Sequence, residues 1–131
     1  MKRVLIADDE PIERMIVTRT IQKYFPEELA VVSAVNGREA VEQFFAENCQ
    51  IALLDIEMPG MNGLELLTQI HRRWPFCHVI FLSGYSDFEY VQKAMQLGAD
   101  SYILKSQGDE VVLETVYKTL ALLEQETTSA V

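Results

Sequence analysis

Five short apolar runs punctuate the chain: RVLIA at 3–7, LAVVSA at 29–34, IALL at 51–54, HVIFL at 78–82 and SYIL at 101–104. Each is too short for a stable helix and almost unbroken in apolar character, so the pattern predicts five buried strands. The longer segments between them carry helical spacing instead. Ala40, Val41, Phe44 and Phe45 form one stripe, Gly63, Leu66, Leu67, Ile70 and Trp74 a second, and Val91, Ala94, Met95 and Gly98 a third. Val112, Val116, Leu120 and Leu123 continue the pattern in the last segment, and Pro11 suits the opening turn of a first helix. The order is five strand–helix units.

Strands with one wet face would alternate apolar and polar residues; these do not, which predicts a parallel sheet covered on both faces. The fold class is therefore an open, doubly wound α/β domain with five helices. Phe25-Pro26 closes the first helix, Asn36-Gly37 opens the second, Pro59-Gly60 interrupts after the third strand, and Gly98 ends the fourth helix. In such sheets ligands bind beyond the carboxyl ends of the strands. Chemistry is thus expected just after each apolar run.

Composition narrows the function. At 131 residues the chain fits one domain, read as 1–124, with 125–131 as a polar tail or the start of a linker. No apolar run nears the roughly 18 residues that span a bilayer, and the start has no signal-peptide core, so a cytoplasmic protein without membrane contact is expected. Twenty acidic against 11 basic residues leave a net charge of −9, which disfavours direct contact with nucleic acid. Cys49 and Cys77 have no metal-ligand spacing and read as reduced, buried thiols. His71 and His78 stand without a carboxylate or cysteine at ligand spacing, which predicts surface or supporting roles.

The residues that end the predicted strands are Asp8 and Asp9, Asp55, Ser83 and Lys105. Converging carboxylates repel by about 4 kcal/mol per pair at about 4 Å and an effective dielectric near 20, so they call for a cation. Magnesium uses one or two carboxylates and leaves positions for phosphate oxygens. Lys105 adds a compact positive charge, Ser83 a hydroxyl donor, and an aspartate such as Asp55 is a competent nucleophile for phosphoryl transfer.

The segments VLIADDEP at 4–11, LLDIEMPGMNG at 53–63, LSG at 82–84 and YILK at 102–105 together resemble the motifs of response regulator receiver domains of two-component systems. The resemblance implies a flavodoxin-like sheet of order 2-1-3-4-5, with Asp55 as phosphoacceptor and Asp8 and Asp9 as magnesium-binding carboxylates. It further implies Glu57 as a backbone-carbonyl ligand, Lys105 as phosphate partner, and Ser83 with Tyr102 as a switch pair. Magnesium, with manganese as an alternative, would be the cofactor. A sensor histidine kinase would be the donor, and self-association would run through the fourth helix, fifth strand and fifth helix. The chain would catalyse its own phosphorylation and dephosphorylation rather than turn over an external substrate. The run LSGYSDFEYVQKAM at 82–95 is similar to receivers joined to AraC-type DNA-binding output domains, which implies control of transcription.

The chain departs from that family's usual pattern in two places. Ser106 follows Lys105 where a proline in a cis peptide is usual, and it favours trans. Ser83 stands where threonine is commoner, keeping the hydroxyl. Tyr85 is a bulky residue placed to restrict water attack on an acyl phosphate. Three other functions fit these residues less well. A haloacid dehalogenase-type phosphatase wants a second Asp where Glu57 stands, a nucleotide-binding enzyme wants a glycine-rich loop after the first strand, and a non-phosphorylated docking module typically lacks one of the acidic or lysine residues present here.

Overall fold

The computed structural model describes residues 1–84 and 88–129, with side chains in the last helix as far as Glu126. Strands and helices alternate: β1 (Lys2–Ala7), α1 (Pro11–Tyr24), β2 (Leu29–Ala34), α2 (Gly37–Ala46), β3 (Ile51–Leu54), α3 (Gly63–Arg73), β4 (His78–Ser83), α4 (Phe88–Gln96), β5 (Ser101–Leu104) and α5 (Asp109–Ser129). A single 3-10 turn, Lys105–Gln107, links β5 to α5. The strands pair in parallel in the order β2-β1-β3-β4-β5, as the resemblance implied.

Local chemistry sets several boundaries. Pro11 occupies the first turn of α1, where its missing N–H costs no helical hydrogen bond. Asn36 and Asn62 cap α2 and α3, their side-chain oxygens accepting from the backbone N–H groups of Glu39 (2.8 Å) and Glu65 (2.9 Å). Gly98 leaves α4 at φ +100°, a conformation that a side chain would strain.

Strand alternation divides the core into two layers. Leu5, Ala7, Ala52, Leu54, Val79 and Phe81 pack with Ala40, Phe44, Leu66, Leu67, Ile70 and Ala94, which come from α2, α3 and α4. Val4, Ile6, Ile51, Leu53, Ile80, Leu82 and Ile103 pack with Ile21, Val112, Val116 and Leu123 from α1 and α5. Both faces of the central strands are therefore dry, which is why their sequences lack alternation. Cys49 and Cys77 are buried free thiols, as read from the sequence; burial first of all pushes Cys49 up to about 11 and raises Cys77 as well, so both stay protonated and unreactive.

The polar stretch after residue 124, read as a polar tail or the start of a linker, is helical through Ser129 as a continuation of α5. One expectation needs correction. His78, read as isolated, bonds two carboxylates brought from distant sequence, Asp100 and Glu126. No helix among the described residues is long and apolar enough to cross a membrane.

Candidate functional site

Sheet register builds the site. Ala7 pairs with Leu54, so Asp8 and Asp55 leave adjacent strands side by side. Their backbones stay tied to the sheet: Asp55 N–H donates to Ala7 O (3.0 Å) and Asp8 N–H to Ala34 O (3.2 Å). Ser83 pairs with Leu104, which delivers Lys105 one residue beyond the same edge. The reversal of strand order falls between β1 and β3, where a doubly wound sheet opens its crevice.

Asp8 and Asp55 are buried and Asp9 is half-buried, with ligand oxygens of all three within 4.8 Å of one another. Lys105 faces them, with Nζ 3.2 Å from Asp8 Oδ2 and 3.6 Å from Asp55 Oδ2. The same ammonium group pairs with Glu13, from the first turn of α1. Asp8 Oδ1 accepts from Glu10 N–H (2.9 Å), while the Arg14 side chain donates to Asp8 O (2.6 Å). Asp55 Oδ1 receives only a long contact from Glu57 N–H (3.4 Å). The Glu57 side chain is exposed and lines a cleft of about 390 Å³ together with Asp9, Ile56, Met58, Pro59, Asn62 and Tyr90.

Burial is the largest influence on Asp55 and raises its carboxyl from 3.8 to about 6; Lys105 opposes the rise, Asp8 and Asp9 add to it, and the Glu57 N–H opposes it. For Lys105, burial works against the charged form, but the Glu13 contact and the Asp55 and Asp8 carboxylates outweigh it and bring the ammonium up to about 12. The lysine is thus a fixed positive charge, whereas Asp55 ionises at a higher pH than an ordinary aspartate.

A hard cation fits this donor set. Carboxylate oxygens bind magnesium or calcium at about 2.0–2.6 Å, so a coordination sphere is about 4–5 Å across, comparable to the span of the three aspartates. Asp8, Asp9 and Asp55 could hold such an ion, with the adjoining cleft leaving room for further oxygen ligands.

Ser83 and Tyr102 lie on the other side of the sheet from Ile80, Leu82 and Ile103, facing α4. Ser83 is fully buried, and the Tyr102 ring packs 6.0 Å from that of Phe81, its partner in the ladder. The Lys105–Ser106 peptide is trans, as Ser106 predicted, and Gln107 folds back so that its side-chain oxygen accepts from Leu104 N–H at 2.8 Å. Tyr85 lies outside the described residues.

Two site residues had no role assigned to them from the sequence. Glu13 looks like any acidic residue in a first helical turn, a position favoured by the helix dipole. Gly63 looks like a small residue on an apolar stripe, yet a Cβ there would come within 2.5 Å of Asp55 O and 2.9 Å of Ile56 Cα. Only glycine lets α3 start directly beneath the Asp55 loop, where Gly63 N–H donates to Ile56 O (2.8 Å).

Residues 4–117 match the model of the response regulator receiver domain. The chain belongs to that family. Among curated relatives, an uncharacterized transcriptional regulatory protein of Bacillus subtilis, YesN, is 32% identical over 126 residues. The match takes in 96% of this chain but 34% of the relative, so this receiver spans about a third of that protein's length. The response regulator TrrA of Thermotoga maritima, solved in complex with Mg2+-BeF, is 35% identical with a TM-score of 0.80, covering 91% of this chain and 99% of that one. A two-component transcriptional regulator AraC from Clostridium phytofermentans is 28% identical with a TM-score of 0.84, covering 98% and 99% respectively. The receiver described here is thus a two-component signalling domain with relatives among AraC-type transcriptional regulators.

Proposed function

We propose that this receiver takes a phosphoryl group onto an Asp55 carboxylate oxygen from a phosphohistidine of a sensor kinase. The P–N bond of the donor breaks, an O–P bond to Asp55 forms, and the histidine nitrogen keeps the electron pair. One observation carries the reading: Asp55, buried and receiving only a long hydrogen bond among the described residues, has its carboxylate within 4.8 Å of those of Asp8 and Asp9 and 3.6 Å from the Lys105 ammonium at the crevice of the sheet.

Asp55 is the nucleophile; burial, with the Asp8 and Asp9 charges, makes it a weaker acid than an ordinary aspartate, and a bound cation would favour its ionised form. Asp8 and Asp9 would hold magnesium or manganese, with the Glu57 backbone carbonyl as a further ligand; a bound cation neutralises the carboxylates and the incoming phosphoryl oxygens. Lys105 gives its charge to the phosphoryl group, loosening its hold on Glu13 and Asp8. The Ser83 hydroxyl turns toward that group, and the neighbouring Tyr102 follows into the space released on the α4 face. The chain catalyses its own phosphorylation and dephosphorylation and has no external turnover. The exposed apolar side chains of Phe88 and Met95 on α4 and Leu122 on α5 suit self-association through α4, β5 and α5. Residues 1–124 form the receiver unit, an output domain that controls transcription accompanies it, and the cytoplasm is its compartment.

Mass spectrometry after incubation with acetyl phosphate and magnesium tests the reading. The parent protein gains one phosphoryl mass, absent with chelator and absent in Asp55→Asn. An unmodified parent protein, or equal labelling of the variant, refutes it.

A further inference from the structure

At the end of the sheet opposite the aspartates, His78 opens β4 with its imidazole bonded on both sides. Nδ1 lies 2.9 Å from Asp100 Oδ1, and Nε2 lies 2.9 Å from Glu126 Oε1. The ring is largely enclosed, its side chain 12% exposed. Asp100 stands just before β5 and has a second anchor, its Oδ2 accepting from Val79 N–H at 2.8 Å. Glu126 belongs to the far end of α5, where the last turn has no basic residue. That helix is 21 residues long, about 31 Å, while the four residues of β5 span about 13 Å. Its C-terminal turns therefore extend past β5, and Glu126 reaches the first residue of β4.

We propose that His78 is a proton-sensitive latch that fastens the C-terminal end of α5 to the sheet. With both ring nitrogens protonated, the imidazolium donates to both carboxylates. After one proton is lost to solvent, the neutral ring keeps a single N–H. That hydrogen stays on Nδ1, because Asp100 is held in place by Val79 whichever way the ring is protonated. Nε2 then presents a lone pair to the Glu126 carboxylate, and the contact turns repulsive. Glu126, half-exposed and with no second side-chain anchor among the described residues, swings away and takes the last turns of α5 with it.

Among the described residues, the other groups around the ring do not supply a competing charge. Before β3, Gln50 offers only its carbonyl, which accepts from His78 N–H at 3.0 Å. Cys77 next to it remains a thiol. On α3, His71 makes its contact with Cys77 O at 3.1 Å rather than with the His78 ring. The hydrogen bond to Asp100 is the largest influence on His78 and raises it above 6.5; burial opposes it, and Glu126 reinforces the rise. Stability from the latch is complete below the unfolded value of 6.5 and disappears as pH climbs through the higher folded value. The inference does not depend on phosphoryl transfer, since the two sites occupy opposite strand ends.

Amide hydrogen exchange, read as protection factors at residues 120–126, together with NMR titration of the two histidine rings, tests the latch. In the parent protein, protection is expected to fall by about two- to fivefold as His78 deprotonates, the equilibrium equivalent of one exposed ion pair. Glu126→Gln is expected to remove that pH dependence and to lower the midpoint of the His78 ring signal, while amides of β1 and β3 stay protected in both proteins. His78→Asn is expected to give the weakly protected α5 end at every pH. The same pH dependence in the parent and in Glu126→Gln, or an unchanged His78 midpoint in Glu126→Gln, overturns the proposal.

Discussion

Replacing Asp55 by asparagine removes a charge that the metal-free fold holds at a loss. Burial is the leading reason that its carboxyl rises from 3.8 to about 6, an increase that Lys105 only partly offsets. Because the folded state holds this proton more tightly than the unfolded chain does, the associated stability is complete below 3.8 and is lost as pH rises through about 6. A rise of about two units corresponds to about 3 kcal/mol of destabilisation near neutral pH. The amide forgoes the Lys105 attraction but not its packing, so Asp55→Asn should stabilise the metal-free protein by about 1–2 kcal/mol. Thermal unfolding in the presence of chelator should show a melting temperature higher by about 5 °C. Magnesium should then reverse the order. At a hundredfold excess over its dissociation constant it adds about 2.7 kcal/mol to a protein that binds it only when folded, and the variant lacks one of three carboxylate ligands. A variant that melts at or below the parent in chelator, or that gains as much from magnesium as the parent does, refutes the reasoning.

Other predictions follow from the same geometry. Magnesium affinity, measured by isothermal titration calorimetry, should decline as pH falls through about 6, since the proton on Asp55 competes with the cation; a flat profile from about 7 to about 5 contradicts this. Lys105→Ala removes the positive charge facing the carboxylates and should bind magnesium about tenfold more tightly while accepting phosphate poorly, so weaker metal binding would count against the assigned electrostatics. Gly63→Ala forces a Cβ onto the Asp55 and Ile56 backbone and should cost about 3 kcal/mol in chemical denaturation, the upper end for overpacking. Asn62→Ala removes the α3 cap and should cost about 1 kcal/mol without altering the metal-binding stoichiometry.

The order of strands and helices was legible because burial on both sheet faces leaves its mark directly on composition: IALL at 51–54 has no polar residue, and every one of its side chains is buried. The start of α2 was legible for a similarly local reason, since Asn36 satisfies an N–H group three residues away. The candidate site was legible as residue types at strand ends, because parallel strands must deliver their final residues to one edge. The long reach of α5 was not, because the polar stretch after residue 124 gives no local cue that it remains helical.

By itself, then, the sequence determined which segments become strands or helices and which edge carries Asp8, Asp9, Asp55 and Lys105, since both follow from periodicity and from short-range bonding. Tertiary structure alone decided that Glu13 shares Lys105, that Gly63 lies against the Asp55 backbone, and that His78 meets Asp100 and Glu126. Those contacts join residues between 8 and 92 positions apart, with no spacing rule to announce them. They come into being only when parallel register and helix packing set distant side chains within a few ångströms of one another.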